Sequence, residues 1–297
     1  MKAIKATRQV TKAMELVAAS KMRRAVQNAQ RLRQYAFTAW RILQKLANVH
    51  PELHPYLQQR EPRKILAIIM TPDRGLCGNL NAQMLRTTTQ YLNGLKDLKT
   101  FESIEFIVVG KKGQQFLPRL KQKIVAAFPA FSSYPVFKDV LPVARMATEG
   151  FLAGTYDHVV LIYSDFISAI AQEATVKVLL PFSRTELRAM LGSLLPRRYT
   201  RETEKELNEE DVHEYLFEPS QDAILQNILP QLTELQVYQA VLEAGASEHS
   251  ARMLAMRNAS DNASDIIDDL TIINNQTRQS NITAELSELT AAKAALE

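Results

Sequence analysis

Apolar residues near the start of the chain recur every three or four positions. No proline precedes Pro51 and no glycine precedes Gly75, so nothing in this stretch interrupts a helix. The recurring apolar residues are Val10, Met14, Val17, Met22, Ala25, Ala29 and Leu32. This is the spacing of a coiled-coil seam, and its small residues would let two helix axes approach closely. The pattern predicts a long N-terminal helix that packs against a second helix.

The last part of the chain also forms an uninterrupted helix-forming stretch with apolar residues every three or four positions. After Gly245 neither glycine nor proline occurs up to Glu297, and a helix over that stretch would be about 75 Å long. Its apolar residues are Met256, Ala259, Ala263, Ile266, Leu270 and Ile273, followed after a polar interval by Leu286 and Leu289. Helices of this length are typical of coiled coils rather than of globular packing.

The distribution of charge indicates that the two terminal stretches pair with each other. Glu15 is the only acidic residue before Glu52 and stands among many lysines and arginines, whereas the last stretch is rich in aspartate and glutamate. An exposed ion pair contributes only about 0.2–1 kcal/mol, so these charges would set orientation while apolar burial supplies the stability. The alternative is two independent helices with solvated charges on a globular surface.

Residues 63–220 follow a different pattern, in which short β-branched runs alternate with helix-forming segments. The runs that predict strands are KILAIIM (64–70), IEFIVVG (104–110), HVVLIYSDF (158–166) and ATVKVLLPF (174–182), and HEYLFEP (213–219) is a candidate edge strand. The segments that predict helices are 82–95, 114–123 and 140–152, and the charged segment 197–211 is interpreted as a mobile loop or linker. This alternation predicts an α/β domain with a mainly parallel sheet and crossover helices.

Composition and charge restrict the class of protein. Of the 297 residues, 46% are hydrophobic and 23% are charged, which is typical of a folded protein. The net charge of +4 would suit nucleic acid, an anionic membrane or an acidic protein partner, but no platform of aromatic residues for base stacking is evident, so no nucleic acid is predicted. Cys77 is the only cysteine, which suits a reducing cytoplasm, and no Cys/His cluster has zinc-ligand spacing. The longest apolar runs are too short to span a bilayer, and the basic N-terminal stretch leaves no room for a signal peptide.

The sharpest local motif is MTPDRGLCGNLN (70–81), which lies between a predicted strand and a predicted helix. Gly75 and Gly78 allow tight turns that could hold an anion at a helix N-terminus, although the motif matches neither of the glycine-rich phosphate-binding patterns. A structural turn is the favoured interpretation.

A nucleophile and a base could be formed by Asp73, Cys77, His158 and Asp165, but the spacing of these residues does not require it. Cys77 is interpreted as a packed small residue and His158 as the start of a strand.

Three blocks of sequence together carry a resemblance to a known family. They are TRQVTKAMELVAASKMRRA (7–25), PDRGLCGNLN (72–81) and the long C-terminal segment 232–289, which begins LTELQVYQAVLEAGASEHSARM. The chain resembles the gamma subunit of the F-type ATP synthase over almost its whole length. One departure is at the end, where ITAELSEL is followed by TAAKAALE instead of the glycines common in the family, so we expect a stiffer helix tip.

The resemblance implies a fold and a function. The expected fold is a long antiparallel coiled coil of the N- and C-terminal helices (1–55 and 221–297) plus a Rossmann-like central domain (63–220). The chain would be the non-catalytic rotor shaft, without a cofactor, turning inside a ring of alpha and beta subunits. The central domain would contact the epsilon subunit and the ring of c subunits. The complex would lie peripherally on the cytoplasmic face of the cell membrane.

The resemblance also implies which residues contact partners. They are Arg8, Gln9, Lys12, Met14, Lys21, Arg252, Arg278, Gln279 and Thr283. Lys12, Met14 and Lys21 match the region against which acidic loops of the beta subunits press. Ordinary solvated helix charges are the alternative for each residue. Two other classes of protein stay open, namely a cytoplasmic coiled-coil adaptor with a Rossmann-like domain and a small-molecule enzyme that uses the 72–81 turn.

Overall fold

Two long helices at the ends of the chain lie side by side. The computed structural model describes residues 1–46, 54–132, 135–182 and 221–294. Helix α1 spans Lys2–Leu46, and the last helix, α5, spans Gln221–Ala294. Near the start of α1, Arg8 Nη1 donates to Ser264 Oγ at 3.3 Å, whereas Leu32, further along, packs against a core that includes Val237. The two helices are therefore antiparallel, and the predicted pairing is confirmed.

The seam between α1 and α5 is built from small residues. Its most buried members are Ala18, Ala25, Met256, Ser260, Ala263 and Ile267. Several predicted seam positions are wrong, because Val10, Val17, Ile266 and Ile273 are exposed. The steps of three and four are present, but on α5 they run through 256, 260, 263 and 267. Close approach of the helix axes favours alanine and serine at most of these positions, and Val17 and Ile266 lie one residue away from the buried Ala18 and Ile267.

The end of α5 extends beyond the paired region. Because Arg8 lies beside Ser264, the first residues of α1 reach only to about residue 271 of α5 at equal rise per residue. From 272 to 290 every α5 residue is exposed. The prediction that Leu286 and Leu289 continue the seam is therefore wrong within this chain, since both lie in this bare part of the helix.

A five-stranded sheet lies beside the coiled coil. Its strands are β1 (Lys64–Met70), β2 (Ser103–Val109), β3 (Lys123–Phe128), β4 (His158–Phe166) and β5 (Gln172–Leu180). The order is β3-β2-β1-β4-β5, and all neighbouring strands are parallel except β4 and β5. Ile68 of β1 pairs with Ile107 on one side and Leu161 on the other. The prediction of a mainly parallel sheet is confirmed.

Three shorter helices connect the strands. They are α2 (Leu80–Lys96), α3 (Lys111–Phe116) and α4 (Phe137–Leu152). The predicted helix at 114–123 is wrong, because α3 is followed by a 3-10 turn at Leu117–Leu120 and then by β3. Pro118 supplies no backbone N–H for a continuing helix, and Lys121 adopts a left-handed conformation that directs the chain into the strand. The interpretations of 197–211 and 213–219 lie outside the described residues.

Apolar side chains cover both faces of the sheet, which explains the continuous apolar run of β1. One face packs against α4 and α5, through residues such as Val143 and Val237. The other packs against α2, through Met84 and Leu92. In the described ranges, no helix combines the length and the apolar composition that a bilayer crossing requires.

Candidate functional site: the joint between coil and sheet, and the exposed coil

Helix α5 covers the place where an open α/β sheet would ordinarily bind a ligand. Such sheets bind ligands at the carboxyl ends of the strands, where the strand order reverses, which here is between β1 and β4. The crevice is lined by Thr71 and Ser164 from the sheet and by Val241, Gly245 and His249 of α5, and holds a cavity of about 80 Å³. Pockets for cofactors and drug-sized ligands are usually about 300–1,000 Å³. The crevice is therefore part of the packing between coil and sheet and is too small for a nucleotide.

The 72–81 turn is fastened to α5 by one arginine. Arg252 Nη2 donates to the carbonyl oxygen of Gly75 at 3.3 Å, and the same atom lies 2.7 Å from Glu248 Oε1. Only 13% of the Arg252 side chain is exposed. Leu76, at the outer side of the turn, has a left-handed backbone conformation and an exposed side chain. The predicted structural turn is thus a clamp between the α/β domain and the coil.

Cys77 is a packed residue and not a nucleophile. It is buried against Leu80 and Ala251, and the side-chain amide of Asn81 donates to its sulfur at 3.3 Å. Burial raises the pKa of the thiol, and Arg252 lowers it to a smaller extent. A protonated, buried thiol is a poor nucleophile.

The other members of the proposed nucleophile-and-base set also have structural contacts. Asp73 Oδ1 accepts from the backbone N–H groups of Lys111 and Ala130, at 2.9 and 3.2 Å. The ring of His158 bonds to the carbonyl oxygen of Arg60 at 2.8 Å, and Asp165 pairs with Lys177 at 3.1 Å. The structure does not bring these residues together with Cys77. Within the described part of the chain, no group of three or more His, Cys, Asp or Glu side chains could hold a metal ion.

His249 lies in the joint beside the clamp. It is buried, and Arg252 Nη1 is 3.4 Å from its Nδ1. Desolvation by burial, and then the positive charges of Arg252 and Lys21, lower the pKa of His249 to about 4 from its ordinary 6.5. The imidazole is therefore neutral near pH 7.

The lowered pKa of His249 predicts a pH dependence of stability. Between pH 6.5 and about 4 the unfolded chain binds a proton at this residue that the folded chain does not, so the free energy of unfolding falls as the pH falls. We expect this group to remove up to about 2 kcal/mol at pH 5. Urea unfolding of the wild type and of His249→Gln at several pH values measures the effect, because all other titrating groups are common to both proteins. Parallel curves for the two proteins between neutral pH and pH 5 would contradict this interpretation.

The predicted partner-contact residues fall into three groups along the coil. Arg8, Gln9, Lys12 and Met14 lie on the paired part of α1, where Met14 is half-buried and the others are exposed. Lys12 pairs with Glu15 at 2.9 Å. Lys21, half-buried, lies at the level of His249 and Arg252. The third group, Arg278, Gln279 and Thr283, is exposed on the bare end of α5, about 40 Å from Arg252 along the helix.

The contacts of Arg252 differ from the expected partner contact. Its described bonds are made within the chain, to Gly75, Glu248 and His249. Glu248 and His249, which hold the joint with it, were not singled out by sequence reasoning. The only available signal was that His249 and Glu248 precede Arg252 by three and four residues on a predicted helix, which places all three on one face.

Comparisons with known proteins cover the whole chain. Residues 1–296 match the family profile described as ATP synthase. The ATP synthase gamma chain of Roseiflexus castenholzii is 40% identical over 299 residues, which cover 100% of this chain and 96% of that protein. The gamma chain of Cupriavidus necator is 37% identical over 297 residues, with 100% and 97% coverage.

Solved structures show the same architecture. A chain in the central stalk and c-ring structure of the Tetrahymena thermophila mitochondrial ATP synthase is similar, with 27% identity, a TM-score of 0.58, and coverage of 84% of this chain and 99% of that chain. A chain in the OSCP/F1/c-ring structure of the Euglena gracilis mitochondrial ATP synthase has a TM-score of 0.61 at 19% identity and covers 99% of this chain and 91% of that one, which supports the fold. The profile match and the full-length identity agree with the bare helix, the coiled coil and the crevice that α5 covers. The chain belongs to the family of ATP synthase gamma chains, which form the non-catalytic central-stalk rotor of the F-type enzyme.

Proposed function

We propose that this chain couples proton flow through the membrane sector to the catalytic sites of the beta subunits by turning as an asymmetric shaft. The observation that carries the proposal is the antiparallel coil of α1 and α5 with the α/β domain packed on one side of it. The domain contacts α5 through residues such as Val143 and Val237, so the molecule is not symmetric about the axis of the coil. A rod of this shape can make different contacts with each subunit of a surrounding ring, which is the requirement for biasing their conformations.

The partners follow from the position of each part. In our proposal, alpha and beta subunits surround the coil, and the epsilon subunit and the c-subunit ring contact the α/β domain. The division into 1–55, 63–220 and 221–297 would then separate the parts that turn inside the ring from the part that meets the membrane sector. The complex would sit peripherally at the cytoplasmic face of the cell membrane. Rotation would redistribute the contacts as a rigid-body motion.

The contacts with the catalytic ring are assigned to the exposed residues of the coil. They are Arg8, Gln9, Lys12, Met14, Lys21, Arg278, Gln279 and Thr283. Six of the eight are exposed, and Met14 and Lys21 are half-buried and reach the surface of the coil. Arg252 would act on the ring indirectly, by holding the 72–81 turn against α5.

Charge reversal at Arg278 tests a contact with the ring. Arg278 is exposed on the bare end of α5 and has no described role in the fold, so Arg278→Glu should leave thermal unfolding of the chain unchanged. In a reconstituted complex we expect ATP-driven proton pumping to fall about fivefold, the effect of losing a coupling interaction. The matched control is Lys96→Glu, at the end of α2 in the α/β domain. Equal pumping by the wild type and Arg278→Glu would remove Arg278 from the proposed contacts.

Co-expression with alpha and beta subunits tests the function as a whole. A stoichiometric complex that hydrolyses ATP and rotates a bead attached to the α/β domain is the expected result. A stable complex with unrelated proteins and none with alpha and beta subunits would instead support the coiled-coil adaptor.

A further inference from the structure

A row of polar side chains on α5 is buried against the sheet. Gln239, Glu243, Ser247 and Ser250 recur at steps of four, four and three, so they share one face of the helix. All four are less than 10% exposed. Burying a carboxyl and an amide is costly unless they have hydrogen-bond partners, and elsewhere α5 packs on the domain through apolar residues.

Two members of this row, Glu243 and Ser250, bond to the β4–β5 hairpin, and Gln239 bonds to Glu243. Glu243 accepts at Oε2 from the Tyr163 hydroxyl at 2.8 Å and at Oε1 from Gln239 Nε2 at 2.8 Å. Lys177 Nζ donates to the same tyrosine hydroxyl at 2.7 Å and to Asp165 at 3.1 Å. We call this set the polar seam: Gln239, Glu243 and Ser250 of α5, with Tyr163, Asp165, Gln172 and Lys177 of the hairpin.

The far end of the polar seam is closed by the hairpin loop. Ser250 Oγ donates to the carbonyl oxygen of Ala169 at 2.5 Å and accepts from Gln172 Nε2 at 3.3 Å. The two α5 residues that bond to the hairpin, Glu243 and Ser250, lie seven residues apart, about 10 Å along the helix axis. The hairpin is thus bonded to α5 at two levels, and rotation or sliding of the helix would break bonds at both.

The central bond of the polar seam is the one from Tyr163 to Glu243. Burial, reinforced by the charges of Glu243 and Asp165, raises the pKa of Tyr163 well above its ordinary value, so the hydroxyl keeps its proton and can donate. The Nζ of Lys177 lies over the tyrosine ring, 5.1 Å from its centre. Tyr163 therefore links a base on β5 to an acid on α5.

We propose that the polar seam fixes the rotational register between the coiled coil and the α/β domain, so that torque passes between them without slip. This inference rests on the proposed function. Apolar contacts are non-directional and allow neighbouring helices to slide or turn against a surface, whereas hydrogen bonds weaken steeply when their geometry changes. Tyr163, Lys177 and Glu243 are positioning residues, since they act on the ring only through the coil.

Replacing the polar seam by apolar residues tests separately whether it stiffens the connection between coil and domain and whether it stabilises the fold. The variant Tyr163→Phe/Asp165→Asn/Lys177→Met/Gln239→Met/Glu243→Met removes the bonds around Tyr163 and Glu243, leaves no charge of the network unpaired and keeps the approximate volume. Such replacements of buried charge networks are often neutral or stabilising. In the complete ATP synthase in vesicles, we expect unchanged thermal stability and hydrolysis rate. The protons pumped per ATP should fall about threefold, as when coupling residues are altered. The angular fluctuations of a bead on the α/β domain, with the coil held by the ring, should increase.

Two single variants complete the experiment. Tyr163→Phe, which removes the bond to Glu243 and the bond from Lys177, should give the same changes at smaller amplitude and decides the question if the combined variant fails to assemble. Tyr238→Phe is the matched control, because it removes one α5 hydroxyl that donates to the carbonyl oxygen of Pro135, outside the polar seam. If Tyr163→Phe and Tyr238→Phe give the same pumping ratio and fluctuations as the wild type, the inference is overturned. Failure of the wild-type chain to assemble or pump would instead reject the proposed function.

Discussion

Arg252→Glu should lower the free energy of unfolding by about 3 kcal/mol, the cost of breaking a largely buried ion pair. The substitution removes the bond to Gly75 and places a second carboxylate close to Glu248, which the arginine now contacts at 2.7 Å. We expect the 72–81 turn to detach from α5. Urea unfolding measures the stability, and limited proteolysis after Arg74 reports release of the turn.

Two comparisons make the Arg252 experiment decisive. Arg278→Glu applies the same charge reversal on the same helix, at an exposed position, and should leave both measurements unchanged. Glu248→Gln/Arg252→Gln removes both charges of the pair together and should cost less than Arg252→Glu alone, because no charge is left unpaired. If Arg252→Glu is as stable as wild type, the arginine does not clamp the turn.

Gly110→Ala is expected to have the largest effect on stability of any alanine substitution of a glycine in the described residues. Gly110 lies between β2 and α3 with φ of +92°, a conformation that costs other residues about 1–3 kcal/mol. A Cβ there would also overlap the carbonyl oxygen of Thr71. Thr71 closes the ends of β1 and β2, since its hydroxyl donates to Val109 and accepts from the N–H of Gly113 at 2.8 Å. We expect a loss of more than about 3 kcal/mol by urea unfolding.

Gly154→Ala separates the cost of the positive φ from the cost of the overlap with Thr71. Gly154 also has a positive φ, of +72°, but no atom lies within 4 Å of the position of its Cβ. This variant should lose only about 1 kcal/mol, the cost of the left-handed backbone. Equal losses at Gly110 and Gly154 would show that the overlap with Thr71 is relieved without cost.

The main elements could be predicted from sequence because their patterns are long or continuous. The coil has dozens of helix-forming residues without a breaker, and six of the seven residues of β1 form an apolar run that only burial on both faces explains. The seam register was missed by one residue at Val17 and Ile266, because Ala18 and Ile267 beside them are apolar too. Strand β3 was missed because the helix was extended to residue 123 in spite of Pro118, which left no room for a strand of six residues.

The joint was harder to predict because its residues come from distant parts of the chain. Gly75 and Arg252 are separated by 177 positions, and Tyr163 and Glu243 by 80. Glu243 stands in an apolar helical stretch, where an acidic residue indicates burial with a partner, but the partner on β4 cannot be identified without the sheet order. The prediction that Arg252 contacts a partner came from motif resemblance, whereas its bonds to Gly75 and Glu248 follow only from the fold.

The bare end of α5 has a consequence for how the cell must produce this protein. In the part of the chain that the structure describes, five aliphatic residues of this segment are each about half exposed or more, namely Ile272, Ile273, Ile282, Leu286 and Leu289. Exposed aliphatic surface of this kind promotes self-association when its intended cover is missing. A copy synthesised in excess of the other subunits would therefore be prone to aggregation and degradation, so balanced expression is a requirement of the shape itself.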